Sequence, residues 1–147
     1  AANNPNVVRY LSHRMPHPYT VEHAKWWVAT GHKELGENYL IEFEDKFAGV
    51  IGVIAGQHEH QKSAEIGYWL AESMWGRGIA TMAITQLCDE VFSRGQIIRI
   101  SAPVYAPNKA SMRALEKSGF HLESIQKNTI FKHGQMMDQH LFVRLYT

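Results

Sequence analysis

The chain has 147 residues, 45% of them hydrophobic and 20% charged, and its formal net charge is +1. This composition is that of a globular domain with a sizeable core, which excludes a disordered chain, and the nearly balanced charge argues against nucleic acid as a partner. No apolar run is long enough to span a membrane and no signal sequence opens the chain, so we expect one cytoplasmic domain over residues 1–147 that does not bind a membrane.

In chain order, the prolines between Met15 and Tyr19 predict a loop, and Thr20 is a plausible N-cap for a helix ending near His32. The neighbouring Trp26 and Trp27 cannot both face a core, so one of them either lines a pocket or is partly exposed.

Two extended segments follow this helix. Tyr39, Ile41 and Phe43 alternate with polar residues, which predicts one strand face, and the apolar run 47–55 follows after Glu44-Asp45-Lys46. We therefore predict a hairpin. His58 and His60 stand two apart as metal ligands can, but the absence of a nearby third ligand favours a solvated loop.

The stretch from Glu65 to Thr81 reads as strand, glycine loop and helix. Gly76 and Gly78 let the backbone approach a ligand closely, and the first amides of a helix point at any anion held there. This pattern predicts an anion-binding turn, although glycines at a helix start also occur as plain turn residues.

Apolar residues then recur at helical spacing, at Ala80, Ile84, Leu87 and Val91, up to a stop at Arg94-Gly95. Cys88, the only cysteine, lies beside this stripe and is better explained as core than as a nucleophile. The β-branched segment 97–104 is the next strand, which predicts a parallel β-α-β crossover.

Asn108 is placed to cap a second helix that ends at Gly119, and two extended segments, 122–131 and 136–146, follow around Lys132-His133-Gly134. The whole pattern predicts an α/β fold with one mixed, mostly antiparallel central sheet flanked by helices.

Two motifs make a family resemblance specific. Residues 66–70 (IGYWL) with 75–80 (WGRGIA), followed by residues 106–120 (APNKASMRALEKSGF), resemble the GNAT superfamily of acetyl-CoA-dependent N-acetyltransferases. Within it the chain is most similar to the branch that acetylates N-terminal amines of ribosomal proteins. The resemblance implies the GNAT fold. That branch usually carries a further strand and half a helix before Asn3, and if this piece is absent here, one sheet edge is uncovered.

The resemblance implies that the co-substrate is acetyl-CoA, with no metal. Its pyrophosphate would be held by backbone amides of residues 76–81, and its pantetheine arm would run along residues 68–70 and contact Asn108. Trp75 stands where many members have Gln or Arg, a replacement that should cost little because the contacts are made by the backbone. The implied cofactor-binding residues are Tyr68, Trp69, Leu70, Gly76, Arg77, Gly78, Ile79, Ala80, Thr81 and Asn108.

The implied catalytic residues are Glu65 and Ser111. Glu65 would act as the base, directly or through a water, and otherwise is a solvent-facing strand residue. Ser111 would hydrogen-bond the departing thiolate, since residues 109–119 contain no tyrosine, and otherwise is an ordinary first-turn residue. Tyr105 is the second candidate for the acid, or a packed aromatic residue.

The expected acceptor is a protein or peptide N-terminal α-amine, which is partly neutral at pH 7. Alternatives are a small amine such as a polyamine, amino sugar or antibiotic, and a CoA-binding module without catalysis. The resemblance places three segments around the acceptor: loop 15–19, the helix with Trp26 and Trp27, and hairpin 129–135. Polar candidates there are His17, Glu22 and His133, and a homodimer could form through the apolar terminus Phe142, Val143, Leu145 and Tyr146.

Overall fold

The computed structural model describes residues 36–147. They contain six strands: β1 (Glu37–Phe43), β2 (Lys46–Ala55), β3 (Ser63–Leu70), β4 (Arg99–Tyr105), β5 (His121–Lys132) and β6 (Gln135–Leu145). Two helices, α1 (Ile79–Ser93) and α2 (Lys109–Lys117), accompany them. The strands form one mixed sheet in the order β1-β2-β3-β4-β6-β5. The predicted fold class is thereby confirmed.

The described residues form two compact units, residues 36–54 with 67–79 and residues 55–66 with 80–147. The first contains the predicted β1–β2 hairpin, whose turn residues Glu44 and Asp45 have φ of 52° and 63°. Two left-handed residues in a row give the twist that an antiparallel pair requires. In the same unit the backbone amide of Ala71 donates to the carbonyl of Ala48 at 2.7 Å, and the rings of Phe47 and Trp69 pack edge to face.

The predicted alternation in β1 is wrong. Tyr39 is exposed, and the residues of β1 that are buried are Asn38 and Ile41. The register against β2 shifts between Ile41 and Glu42. This shift affects only Glu42 and Phe43, which follow it. Asn38 and Ile41 lie three residues apart before it, so their burial already departs from a period of two.

The second unit contains the predicted crossover. Ser63, Ala64 and Glu65 pair in parallel with Arg99, Ile100 and Ser101, and α1 connects the two strands. The strand predicted over 97–104 begins two residues later, because Ile98 sits before the ladder and donates its amide to the carbonyl of Lys62.

The β5–β6 hairpin is also present, with His133 and Gly134 as its two-residue turn at φ of 53° and 73°. Lys132 was predicted in the connection, but it is the last residue of β5 and is buried.

The predicted apolar stripe of α1 is buried at Ile84, Leu87 and Val91, and Cys88 beside it is buried too. The first predicted stripe residue, Ala80, is instead partly exposed, and the preceding Ile79 is buried. Burial raises the pKa of the Cys88 thiol to about 12, so the side chain is a neutral packing group.

The apolar C-terminal segment was predicted as a surface for a second copy, and this is wrong for two of its residues. Phe142 and Val143 are buried in the chain's own core, whereas Leu145 and Tyr146 are exposed. Phe142 and Val143 are neighbours on β6 and their side chains point to opposite faces, so both faces of the sheet are covered at this point and neither residue can meet a partner. The homodimer itself stays a prediction. Among residues 36–147, neither helix is long and apolar enough to cross a membrane.

Candidate active site

The turn between β3 and α1 is held by contacts from both sides. A short 3-10 turn, Glu72–Met74, follows β3, and the indole Nε1 of Trp75 donates to the carbonyl of Leu70 at 3.1 Å. Gly76 and Gly78 then have φ of 76° and 75°, a region that side-chain-bearing residues rarely adopt. The indole bond therefore fixes the path of the chain into the two glycines.

The glycine turn is open to an approaching ligand. A Cβ built on Gly76 or Gly78 would meet no described atom within 4 Å, and α1 begins directly afterwards at Ile79. The amides of residues 76–79 make none of the backbone hydrogen bonds seen among the described residues. Such a row of donors at a helix start suits the oxygens of a phosphate or pyrophosphate. The residues therefore fit the pyrophosphate of acetyl-CoA.

The start of α1 is also tied to the end of α2. Ser118 is buried, and its Oγ lies 3.3 Å from the carbonyl oxygen of Thr81 and 2.8 Å from that of Ala114. This link fixes the first turn of α1, where Ile79, Ala80 and Thr81 carry the last of the predicted cradle amides.

The predicted pantetheine strand has most of its side-chain bulk in the core. Trp69 and Leu70 are buried, and the Trp69 ring lies 5.7 Å from that of Phe47, while Tyr68 is half-buried. Trp69 and Leu70 would consequently meet a ligand through their backbone, and one of the carbonyls, that of Leu70, accepts the Trp75 bond.

Glu65 lies at the end of the parallel ladder. It is half-buried and stands opposite Ser101 of β4, in the last parallel pair of the two strands. From there β3 continues to Leu70 while β4 continues to Tyr105 along β6. Glu65 is therefore positioned by a strand pair of the sheet, which holds a side chain more precisely than a loop does.

Asn108 and Ser111 are adjacent at the start of α2. The Oδ1 of Asn108 accepts the backbone amide of Ser111 at 3.2 Å, which confirms the predicted N-cap. The cap uses only the oxygen of the side chain, so the amide nitrogen remains as the donor that a ligand carbonyl would need. Ser111 is half-buried.

Lys132 is the feature that the sequence reasoning missed. It is 3% exposed, and its Nζ lies 5.1 Å from the centre of the Tyr105 ring, over which it packs. Burial lowers the pKa of this ammonium group. The only signal in the sequence was its position two residues after Ile130 on the same strand face, which is weak evidence for burial of a lysine.

The remaining candidates are the possible metal ligands and the residues predicted around the acceptor. His58 and His60 lie in an exposed 3-10 turn, and no group of three metal-ligating side chains occurs among residues 36–147. Hairpin segment 129–135 includes the exposed His133. His17, Glu22, Trp26, Trp27 and loop 15–19 lie outside the described residues.

Comparison with known proteins gives a consistent result. Residues 1–121 match the acetyltransferase (GNAT) domain. An uncharacterised Bacillus subtilis protein, YkkB, is 35% identical over 81% of this chain and 70% of its own length. The ribosomal-protein-serine acetyltransferase of Escherichia coli is 32% identical to this chain. The match covers 73% of this chain and 59% of that protein.

Among solved structures, RimL, a ribosomal L7/L12 α-N-protein acetyltransferase in complex with coenzyme A, superimposes with a TM-score of 0.83. The two sequences are 26% identical, and the match covers 98% of this chain and 83% of the other.

Proposed function

The chain belongs to the GNAT family of acetyl-CoA-dependent N-acetyltransferases, and from this premise we propose that it acetylates the N-terminal α-amine of a protein or peptide. The observation that carries the acetyl-CoA part of this proposal is the glycine turn, with Gly76 and Gly78 at positive φ directly before α1. The acceptor part is supported by the relatives named for acting on ribosomal proteins.

Acetyl-CoA would be held by three elements. The amides of residues 76–81 would bind the pyrophosphate, with help from the positive end of the α1 dipole. The backbone of residues 68–70 would line the pantetheine arm, and the side-chain amide nitrogen of Asn108 would donate to it. The thioester supplies an acetyl group activated toward attack by a neutral amine.

The chemistry requires proton movement at two places. Glu65 accepts the proton that the amine loses as its nitrogen bonds to the carbonyl carbon, directly or through a water. Ser111 donates a hydrogen bond to the sulfur as the carbon–sulfur bond breaks. The CoA thiolate then takes a proton from solvent and leaves as the thiol, and Glu65 returns the amine's proton to solvent. An α-amine has a reference pKa of about 7.7 to 8.0 and a lysine amine about 10.4, so the α-amine needs less help from a base.

The test compares two peptides of one sequence that contains a lysine, one with a free N-terminus and one blocked. We expect release of CoA thiol with the free peptide and none with the blocked one. Mass spectrometry should then find the acetyl group on the α-amine.

Release with both peptides would contradict the α-amine assignment. Release with neither peptide, but with spermidine in a parallel assay, would replace it by a small-amine acceptor. Binding of acetyl-CoA without turnover of any amine would indicate a non-catalytic CoA module.

A further inference from the structure

Nearly every glycine in the described part of the chain has a visible structural reason. In one group the backbone has a positive φ, and in the other a Cβ would collide with a neighbouring carbonyl or side chain. The first group is Gly36, Gly76, Gly78, Gly95, Gly119 and Gly134, and the second is Gly49, Gly52 and Gly56.

Gly67 belongs to neither group. It lies inside β3, its φ is not positive, and no described atom lies within 4 Å of the place where a Cβ would be. A glycine within a strand weakens the strand, and where no bulge or bend accounts for it, it often marks close approach of a ligand. Neither a positive φ nor a close contact with the described residues therefore requires a glycine here.

The position of Gly67 indicates which ligand approaches. Alternate residues of a strand share a face, so Gly67 lies on the same face as Glu65. Ala64 and Ile66, on the opposite face, are buried. On the face of Gly67 itself, Glu65 is half-buried, Gly67 is exposed, and Trp69, the next residue along, is buried. The missing side chain thus keeps open the surface next to the proposed base.

We propose that Gly67 is a specificity-determining residue whose missing side chain leaves room for the first residue of the acceptor. This inference rests on the proposed function. It assigns the acceptor, and not the pantetheine arm, to the surface at Gly67. A methyl group at this position narrows the acceptor site and leaves the glycine turn at residues 76–78 unchanged.

The test uses Gly67→Ala and Gly67→Val with acetyl-CoA and peptides that begin with Ser or Gly, and with spermidine as a small-amine probe. For the Ser peptide we expect kcat/KM to fall about tenfold or more, with a larger loss for Val than for Ala. The KM for acetyl-CoA should stay within about twofold of the wild type, since hindrance at the acceptor leaves co-substrate binding intact. For the peptide that begins with Gly, the fall in kcat/KM should be smaller.

Stability separates this role from a structural one. Both variants should melt at or above the wild-type temperature, because a side chain favours the strand. Gly95→Ala is the matched control: it places a methyl group at a φ of 80° after α1 and should lower the melting temperature without changing KM for either substrate.

Unchanged peptide kinetics in both Gly67 variants would overturn the inference while the proposed function stood. A selective rise in KM for acetyl-CoA would overturn it as well. If the wild type acetylated spermidine and no peptide, the proposed function would fail, and the same loss with spermidine would still support the role of Gly67. Absence of turnover with every amine would overturn both.

Discussion

At the residue scale, the proposed base gives the first prediction. Glu65→Gln keeps the size of the side chain and removes the proton acceptor, so kcat should fall about 100-fold while the dissociation constant for acetyl-CoA stays the same. Steady-state kinetics and calorimetric titration measure the two quantities. Glu59→Gln, in the exposed turn His58–His60, is the control and should behave as wild type. Equal rates for the two variants would remove Glu65 from the mechanism.

Ser111→Ala tests the group assigned to the thiolate. The backbone amide of Ser111, not its hydroxyl, makes the bond to Asn108, so the variant should keep its helix cap. We expect a lower kcat with little change in acetyl-CoA affinity, because the hydroxyl is needed only as charge develops on sulfur. Tyr105→Phe tests in parallel whether the Tyr105 hydroxyl is the donor to the thiolate. If Tyr105→Phe loses turnover and Ser111→Ala does not, this role belongs to Tyr105.

At the element scale, the cap of α2 allows its structural and binding roles to be separated. Asn108→Asp keeps an oxygen to accept the Ser111 amide but lacks the amide nitrogen, whereas Asn108→Ala loses both. In urea unfolding, the free energy of unfolding of Asn108→Ala should be about 1 kcal/mol below that of the wild type, whereas that of Asn108→Asp should match the wild type. Both should raise KM for acetyl-CoA. An Asp variant with wild-type KM would show that Asn108 is only a cap.

The β5–β6 hairpin carries a pH prediction. The pKa of Asp138 is held below its usual range, first by the backbone amide of Asn128 at 2.9 Å and then by Lys127 Nζ at 3.2 Å. A lowered folded-state pKa means that this stabilisation is complete above the unfolded pKa of about 3.9 and is lost as the pH falls through the folded value.

Asp138→Asn should therefore lower the urea midpoint at pH 7, with a difference from wild type that shrinks as the pH falls below about 4. The exposed Glu116→Gln should show no such convergence. A difference independent of pH would mean that the carboxylate charge is not what the hairpin uses.

Local patterns predicted the elements of the site well. The apolar run before Trp75, the two glycines after it and the cap at Asn108 are each determined by neighbours in sequence, and each is found where expected. Tyr39 and Lys132 could not be placed in this way. The burial of Lys132 depends on packing over Tyr105, which is distant in sequence, and the exposure of Tyr39 departs from the period of two on which the prediction relied.

The chemical roles were harder to derive than the positions. Glycines with positive φ indicate an anion site because the backbone itself binds, whereas Glu65 is one carboxylate among many until its strand partner is known. Gly67 illustrates the same limit. The sequence shows the motif that contains it, but only the structure shows that neither a positive φ nor a close contact requires a glycine there.

At the scale of the whole molecule, Cys88 reports unfolding. It is the only cysteine, it is fully buried, and its pKa of about 12 leaves almost no thiolate at neutral pH. A disulfide reagent should therefore react with the native protein at a rate set by opening of the core, and rapidly in urea. Rapid labelling of the native protein would show that the region around Cys88 opens without global unfolding. Cys88→Ala, which has no cysteine, gives the background signal of the reagent.

The parallel pairing of β3 with β4 also constrains the order in which the chain folds. A hairpin with a two-residue turn closes a very short loop and forms within microseconds, whereas Glu65 can reach Ser101 only after the whole of α1 has been drawn back along the sheet. The β1–β2 and β5–β6 hairpins should gain protection from hydrogen exchange first. The face that carries Glu65 would then be completed late, so an incompletely folded chain would hold most of its secondary structure before it gained any activity.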